Sequence, residues 1–143
     1  MKTLKIFILA LGFICAQQAG NATTLSDDDD EKAVESVIST YIDAFCHGKI
    51  KGFASFLDED LKMTTKRGEK LLSYSKNEVL ESLRSSAHVE QDCKTDFEIV
   101  KQTPSQIIAK VNMDYGSFIK ENFLTLVETE KGWKISRIST AYK

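Results

Sequence analysis

The segment CKTDFEIVKQTPSQIIAKVNMDYGSFIKENFLTLVETEKGWKISRISTAY, residues 93–142, decides the fold. From Cys93 onward the apolar period is two. Turn residues interrupt it at Thr103-Pro104-Ser105, Tyr115-Gly116-Ser117 and Glu130-Lys131-Gly132. Successive side chains of an extended chain point to opposite faces, so this alternation describes strands. Four are expected, at 93–102, 105–115, 118–130 and 132–142, joined as an antiparallel meander. On the second, Ile107, Ala109, Val111, Met113 and Tyr115 form an apolar set and Lys110, Asn112 and Asp114 a polar one. The apolar set is expected inward. The last strands carry apolar residues on both faces: Phe123 and Val127 alternate with Leu124 and Leu126, and Trp133 and Ile135 with Ile138 and Tyr142. A sheet with one solvated face alternates more cleanly. The outer face is therefore expected to meet a second copy of the chain, as a homodimer.

Ahead of the meander the period is helical. Val34, Val37, Ile38, Tyr41, Ile42 and Phe45 make one apolar stripe behind the acidic run Asp27–Glu31, and Gly48 supplies a stop. Ile50, Phe53, Phe56 and Leu57 predict a short second helix. LKMTT (61–65) reads as a strand, KRGEKLLSY (66–74) as a loop or hairpin, and SKNEVLESLRSS (75–86) as a third helix with Ser75 and Glu78 as its capping box. The class is α+β: three N-terminal helices packed on a curved antiparallel sheet.

Residues 1–22 are expected to be a cleaved signal peptide, with Lys2 and Lys5 ahead of an apolar run from Ile6 to Ala16. That run is about half the ~20 residues a membrane span requires. Export to the periplasm or medium follows, with no membrane attachment after cleavage. Residues 23–30 form a polar, acidic leader and 31–143 a single domain. With Lys2 and Lys5 removed from the 19 basic residues, 17 remain against 21 acidic ones, a net charge of −4. The basic residues are scattered, so no field for nucleic acid exists. Cys46 and Cys93 then remain, in a compartment that permits disulfides. Buried packing and a bridge between them are both open, and a bridge requires the Cα atoms to lie within about 7 Å. Cys46 and His47 are adjacent on a helix, about 100° apart, and make a poor nucleophile–base pair.

The order of elements, with YIDAFCHGKIKGFASFLDED (41–60) and NFLTLVETEKGWKI (122–135), resembles the nuclear-transport-factor-2-like (NTF2-like) superfamily. This is the cone fold shared with ketosteroid isomerase, scytalone dehydratase and SnoaL-type cyclases. The closing hairpin is most similar to the branch called "putative lumazine-binding". The resemblance implies a hollow between helices and sheet, closed by Tyr41, Phe45, Phe56, Met63, Met113, Tyr115, Phe123 and Trp133, and suited to a small apolar or planar ligand. Matched to the isomerase, Tyr41 falls at the oxyanion-hole tyrosine, but Thr65 stands at the general base and Leu124 or Thr125 near the second acid. Threonine is no base at neutral pH, so the isomerase mechanism is disfavoured and Tyr41 is the one candidate catalytic residue.

A dehydratase-like site would draw an acid, a base and phenols from Asp43, His47, His88, Asp114, Tyr74 and Tyr115. Two histidines about forty positions apart and no paired-cysteine spacing fail the usual zinc patterns. No phosphate loop or nucleophile elbow is present, so neither a metal nor a cofactor is implied. The leading expectation is an exported, dimeric ligand binder. A cofactor-independent dehydratase, cyclase or isomerase using Tyr41 is the alternative, and a dimeric interaction module with a filled core is the third reading.

Overall fold

The computed structural model describes residues 28–143. The expected signal peptide lies outside the described residues. Helix α1 spans Asp28–Cys46 with four acids, Asp28 to Glu31, in its first turn. The last residues assigned to the leader are thus the start of the helix, where carboxylates meet free N–H groups and the positive end of the dipole. Val34, Val37, Ile38, Tyr41 and Ala44 are buried along one stripe. At the C-terminus the His47 and Lys49 amides both donate to the Asp43 carbonyl, at 3.1 and 3.0 Å, and Gly48 turns the chain with φ 64°.

The expected second helix is not an α-helix. Residues Phe53–Phe56 make a single 3-10 turn between Gly52 (φ 80°) and Leu57, which is already extended. One turn cannot repay the cost of helix nucleation, and the sheet claims Leu57, which pairs with Ile135. The three expected helices are therefore two. Strand β1 runs over Leu57–Arg67, longer than LKMTT, and turns at Gly68 into β2, Lys70–Ser75. Helix α2, Lys76–Ser85, starts at the expected capping box: the Ser75 amide donates to Glu78 Oε2 at 2.7 Å, and the Glu78 amide to Ser75 Oγ at 3.5 Å. These bonds from Ser75 hold the Glu78 carboxyl below the usual range.

The meander follows as β3 Lys94–Thr103, β4 Gln106–Asp114, β5 Ile119–Thr129 and β6 Gly132–Tyr142. The strand order is β2-β1-β6-β5-β4-β3. The sheet is not wholly antiparallel, because β1 lies parallel to β6, with Met63 opposite Ile138. The last strand must return to the first hairpin to extend the sheet, and it arrives running the same way as β1. Register irregularities at Ile99/Lys101 and Thr125/Leu126 bend the long strands. The inner face of β4 is the apolar set: Ile107, Ala109, Val111 and Met113 are fully buried beside Leu124, Leu126 and Ile138. Among the described residues no helix is long and apolar enough to cross a membrane.

Residues 86–93 fold back onto the end of α1. The His88 amide donates to Gly48 O at 3.1 Å and the Gln91 amide to Cys46 O at 2.7 Å. A disulfide joins Cys46 to Cys93, whose Cα atoms are 7.0 Å apart. Closing a loop between residues 47 positions apart stabilises by about 4 kcal/mol in the chain-entropy model. A Cβ on Gly48 would sit 2.7 Å from the backbone nitrogens of both His88 and Val89, whereas one on Gly132 (φ 93°) would meet nothing within 4 Å. Gly132→Ala therefore carries the left-handed backbone cost alone, about 1–2 kcal/mol. Gly48→Ala adds a backbone clash, and its urea midpoint is expected to fall well below that of Gly132→Ala. Equal midpoints would show that the 86–93 segment does not pack on Gly48.

Candidate functional site

A 550 Å³ hollow opens between α2 and the sheet. Phe45 from α1, Met63 from β1 and Tyr74 from β2 give it flat or soft apolar walls. Val79 and Leu83 of α2 are buried behind it. Ser82, Ser86 and Gln91 supply polar groups at the mouth, and Lys120 enters from the sheet. Lys120 reaches it because β5 alternates: residues 122, 124 and 126 point inward and are fully buried, and 120 continues the same row toward the rim.

Lys120 Nζ lies 5.3 Å from the centroid of the Phe45 ring. Such a cation–π contact contributes about 0.5–2 kcal/mol, which is less than the hydration a charged group gives up on burial. Among the described residues the ammonium has no ion-pair partner, unlike Lys76, which meets Glu59 at 2.8 Å, or Lys143, which meets Glu121 at 3.0 Å. Burial pulls its pKa below the ordinary lysine value.

The residues predicted to line one cavity are divided by the structure. Phe45 and Met63 do line it. Tyr41 and Met113 are fully enclosed in the core instead, because both lie on stripes that helix and sheet press together. Phe56, at the end of the 3-10 turn, and Trp133, on β6, border a separate depression beside α1. Tyr115 sits at the β4–β5 turn, stacked on Phe118 at 4.7 Å, and donates its hydroxyl hydrogen bond to Gln91 Oε1. Phe123 pairs with Lys110 on the outer face, since it alternates with the inward Asn122 and Leu124. Sequence reasoning missed Lys120, Ser82, Ser86 and Gln91 as lining groups. For Lys120 the available signal was its place in the row 120, 122, 124, 126.

The catalytic candidate fares poorly. Burial pushes the Tyr41 phenol far above the ordinary tyrosine range, with smaller contributions from Tyr115 and Tyr142. Its hydroxyl has no hydrogen-bond partner among the described residues. Thr65, between Leu72 and Thr140 in the sheet, is no base. Leu124 is core, and the nearest inward polar group is Asn122, whose Oδ1 accepts from Thr140 Oγ1 at 2.9 Å. The acids and bases named for a dehydratase are dispersed: His47 lies 3.4 Å from Glu90, Asp43 3.5 Å from Lys49, and Asp114 accepts from the Gly116 amide at 2.8 Å. Among the described residues no cluster of three or more His, Cys, Asp or Glu could hold a metal.

A family model described as "Putative lumazine-binding" matches residues 29–142. No curated protein matches the chain. Solved structures with the same fold include an NTF-2 like protein of unknown function from Silicibacter pomeroyi, 17% identical, with a TM-score of 0.69 over 80% of this chain and 97% of that one. A second, from Shewanella baltica, is 14% identical, with a TM-score of 0.70 over 80% and 94%. A ketosteroid isomerase-like protein from Erwinia carotovora atroseptica is 15% identical, with a TM-score of 0.58 over 81% and 98%.

The folded state holds the Lys120 proton more weakly than the unfolded chain does. Its ammonium thus costs stability at neutral pH, and the cost disappears as pH rises from the lowered folded value toward the unfolded ~10.4. Lys120→Met is expected to melt higher than wild type at pH 7, with the gap narrowing by pH 10. A gap that is absent or widens with pH would show the ammonium to be well solvated.

Proposed function

The chain belongs to the family described as "Putative lumazine-binding", within the NTF2-like superfamily, and on that premise we propose that it binds a small planar ligand without transforming it. The observation that carries this is the 550 Å³ hollow walled by Phe45, Met63 and Tyr74. Ligand sites in proteins run from about 300 to 1,000 Å³, with apolar walls and a few polar groups. The hollow lies beside a continuous cluster of buried apolar side chains. The enclosure of Tyr41 favours binding over proton transfer.

The protein acts as an exported homodimer in this reading. The bridge between Cys46 and Cys93 suits an oxidising compartment. Half-buried Ile108, Phe123 and Val127 on the outer face, beside Lys110 between Glu98 and Glu121, suit a self-complementary contact.

Native mass spectrometry tests both statements. Purified protein is expected at twice the chain mass, carrying an adduct or taking up added lumazine. Ser82→Trp, which closes the mouth, is expected to weaken uptake by about 10-fold or more with the melting temperature unchanged. Phe123→Glu is expected to halve the mass. Failure to take up any two-ring planar compound would remove the binding reading, and a wild-type monomer the dimer.

A further inference from the structure

We infer that the ligand carries a carboxylate, held by the Lys120 ammonium and the Gln91 side-chain amide at the α1 end of the cavity. The inference rests on the binding reading above and narrows it to a chemical class.

Lys120 is the unusual member of its row. Asn122, Leu124 and Leu126 on the same face of β5 are fully buried, and Asn122 is hydrogen-bonded to Thr140. The other half-buried lysines end on polar partners: Lys76 on Glu59 and the Leu57 carbonyl, Lys110 on Glu98, and Lys134 on the Ser55 carbonyl. Lys120 ends on none among the described residues and meets the face of Phe45. A cation held against an aromatic wall, in a hollow, is half of an ion pair whose other half arrives with the ligand.

Gln91 stands at the same end. Its backbone amide is tied to Cys46 O at 2.7 Å, one residue beyond Phe45. Its Oε1 accepts from the Tyr115 hydroxyl. That bond leaves the two N–H donors of the Nε2 group for an acceptor in the cavity. An ammonium and a primary amide lining one hollow can meet the two oxygens of a carboxylate.

The acidic wall sets the direction of the ligand. Glu78 and Glu81 also line the hollow, on α2. Glu78 Oε2 already accepts from the Ser75 amide and hydroxyl, at 2.7 and 2.9 Å. From Glu78 to Ser86, at the α1 end, the helix rises by about 12 Å. A carboxylate is therefore drawn to Lys120 and away from Glu78, with its rings laid along Phe45, Met63 and Tyr74.

Calorimetric titration with 2-naphthoate and its neutral isostere 2-naphthamide tests this on the wild-type protein, Lys120→Met and Lys120→Arg. Wild type is expected to prefer the carboxylate by about 10-fold or more. Lys120→Met is expected to lose that preference while keeping its affinity for the amide, and Lys120→Arg to retain it. Equal binding of the two compounds by wild type, or an undiminished preference in Lys120→Met, would overturn the carboxylate assignment and leave planar-ligand binding standing. Binding of neither compound by wild type would overturn both.

Discussion

The Gln91 amide bond to Cys46 O, the His88 amide bond to Gly48 O and the Cys46–Cys93 disulfide all close one corner, where the connection after α2 meets the end of α1. Residues 87–93 make no strand or helix of their own. Without that fastening their backbone polar groups would face only water, and nothing would fix their height above the sheet. With it, Gln91 is held beside Phe45, the end of α2 is held over the cavity, and β3 begins at a set distance from α1. Gly48 permits the corner, because its left-handed turn brings the chain to within a bond's reach of the His88 backbone.

The inner face of the sheet is divided along its strands between core and cavity. Toward the β5–β6 turn, Leu124, Leu126, Ile135 and Ile107 are fully buried. Toward the start of β5 the same row passes through Asn122 to Lys120. Burying a leucine in place of Lys120 would contribute about 1.5–3 kcal/mol, so local packing alone does not favour a lysine there. Departures from the local optimum of this kind are expected at functional sites.

The meander was legible because a two-residue period interrupted by Pro104, Gly116 and Gly132 admits little else, and β6 spans the expected Gly132–Tyr142. The Ser75–Glu78 capping box was legible because both partners lie within four residues of sequence. What was not legible depends on pairing between distant segments. The helical spacing of Ile50, Phe53, Phe56 and Leu57 loses to the pairing of Leu57 with Ile135, a partner far along the chain. Parallel alignment of β1 and β6 has no local signature either. The family resemblance implied a hollow and named eight walls for it: Phe45 and Met63 line the one beside α2, whereas Tyr41 and Met113 lie in the core and Phe123 on the outer face. An aromatic side chain fits a core and a cavity equally well by type, and only its depth relative to α2 separates the two.

Cys46 and His47 illustrate the same division on a smaller scale. Their adjacency suggests chemistry, but a helix turns them apart. Cys46 is fully buried and bridged to Cys93, whereas His47 turns toward Glu90, 3.4 Å away. Both side chains thus meet the 86–93 segment from the same turn of α1, Cys46 by a covalent bond and His47 at 3.4 Å from Glu90. Their contribution to the cavity is positional. They hold Gln91 and the end of α2 against Phe45, and the groups that would touch a ligand come from other segments.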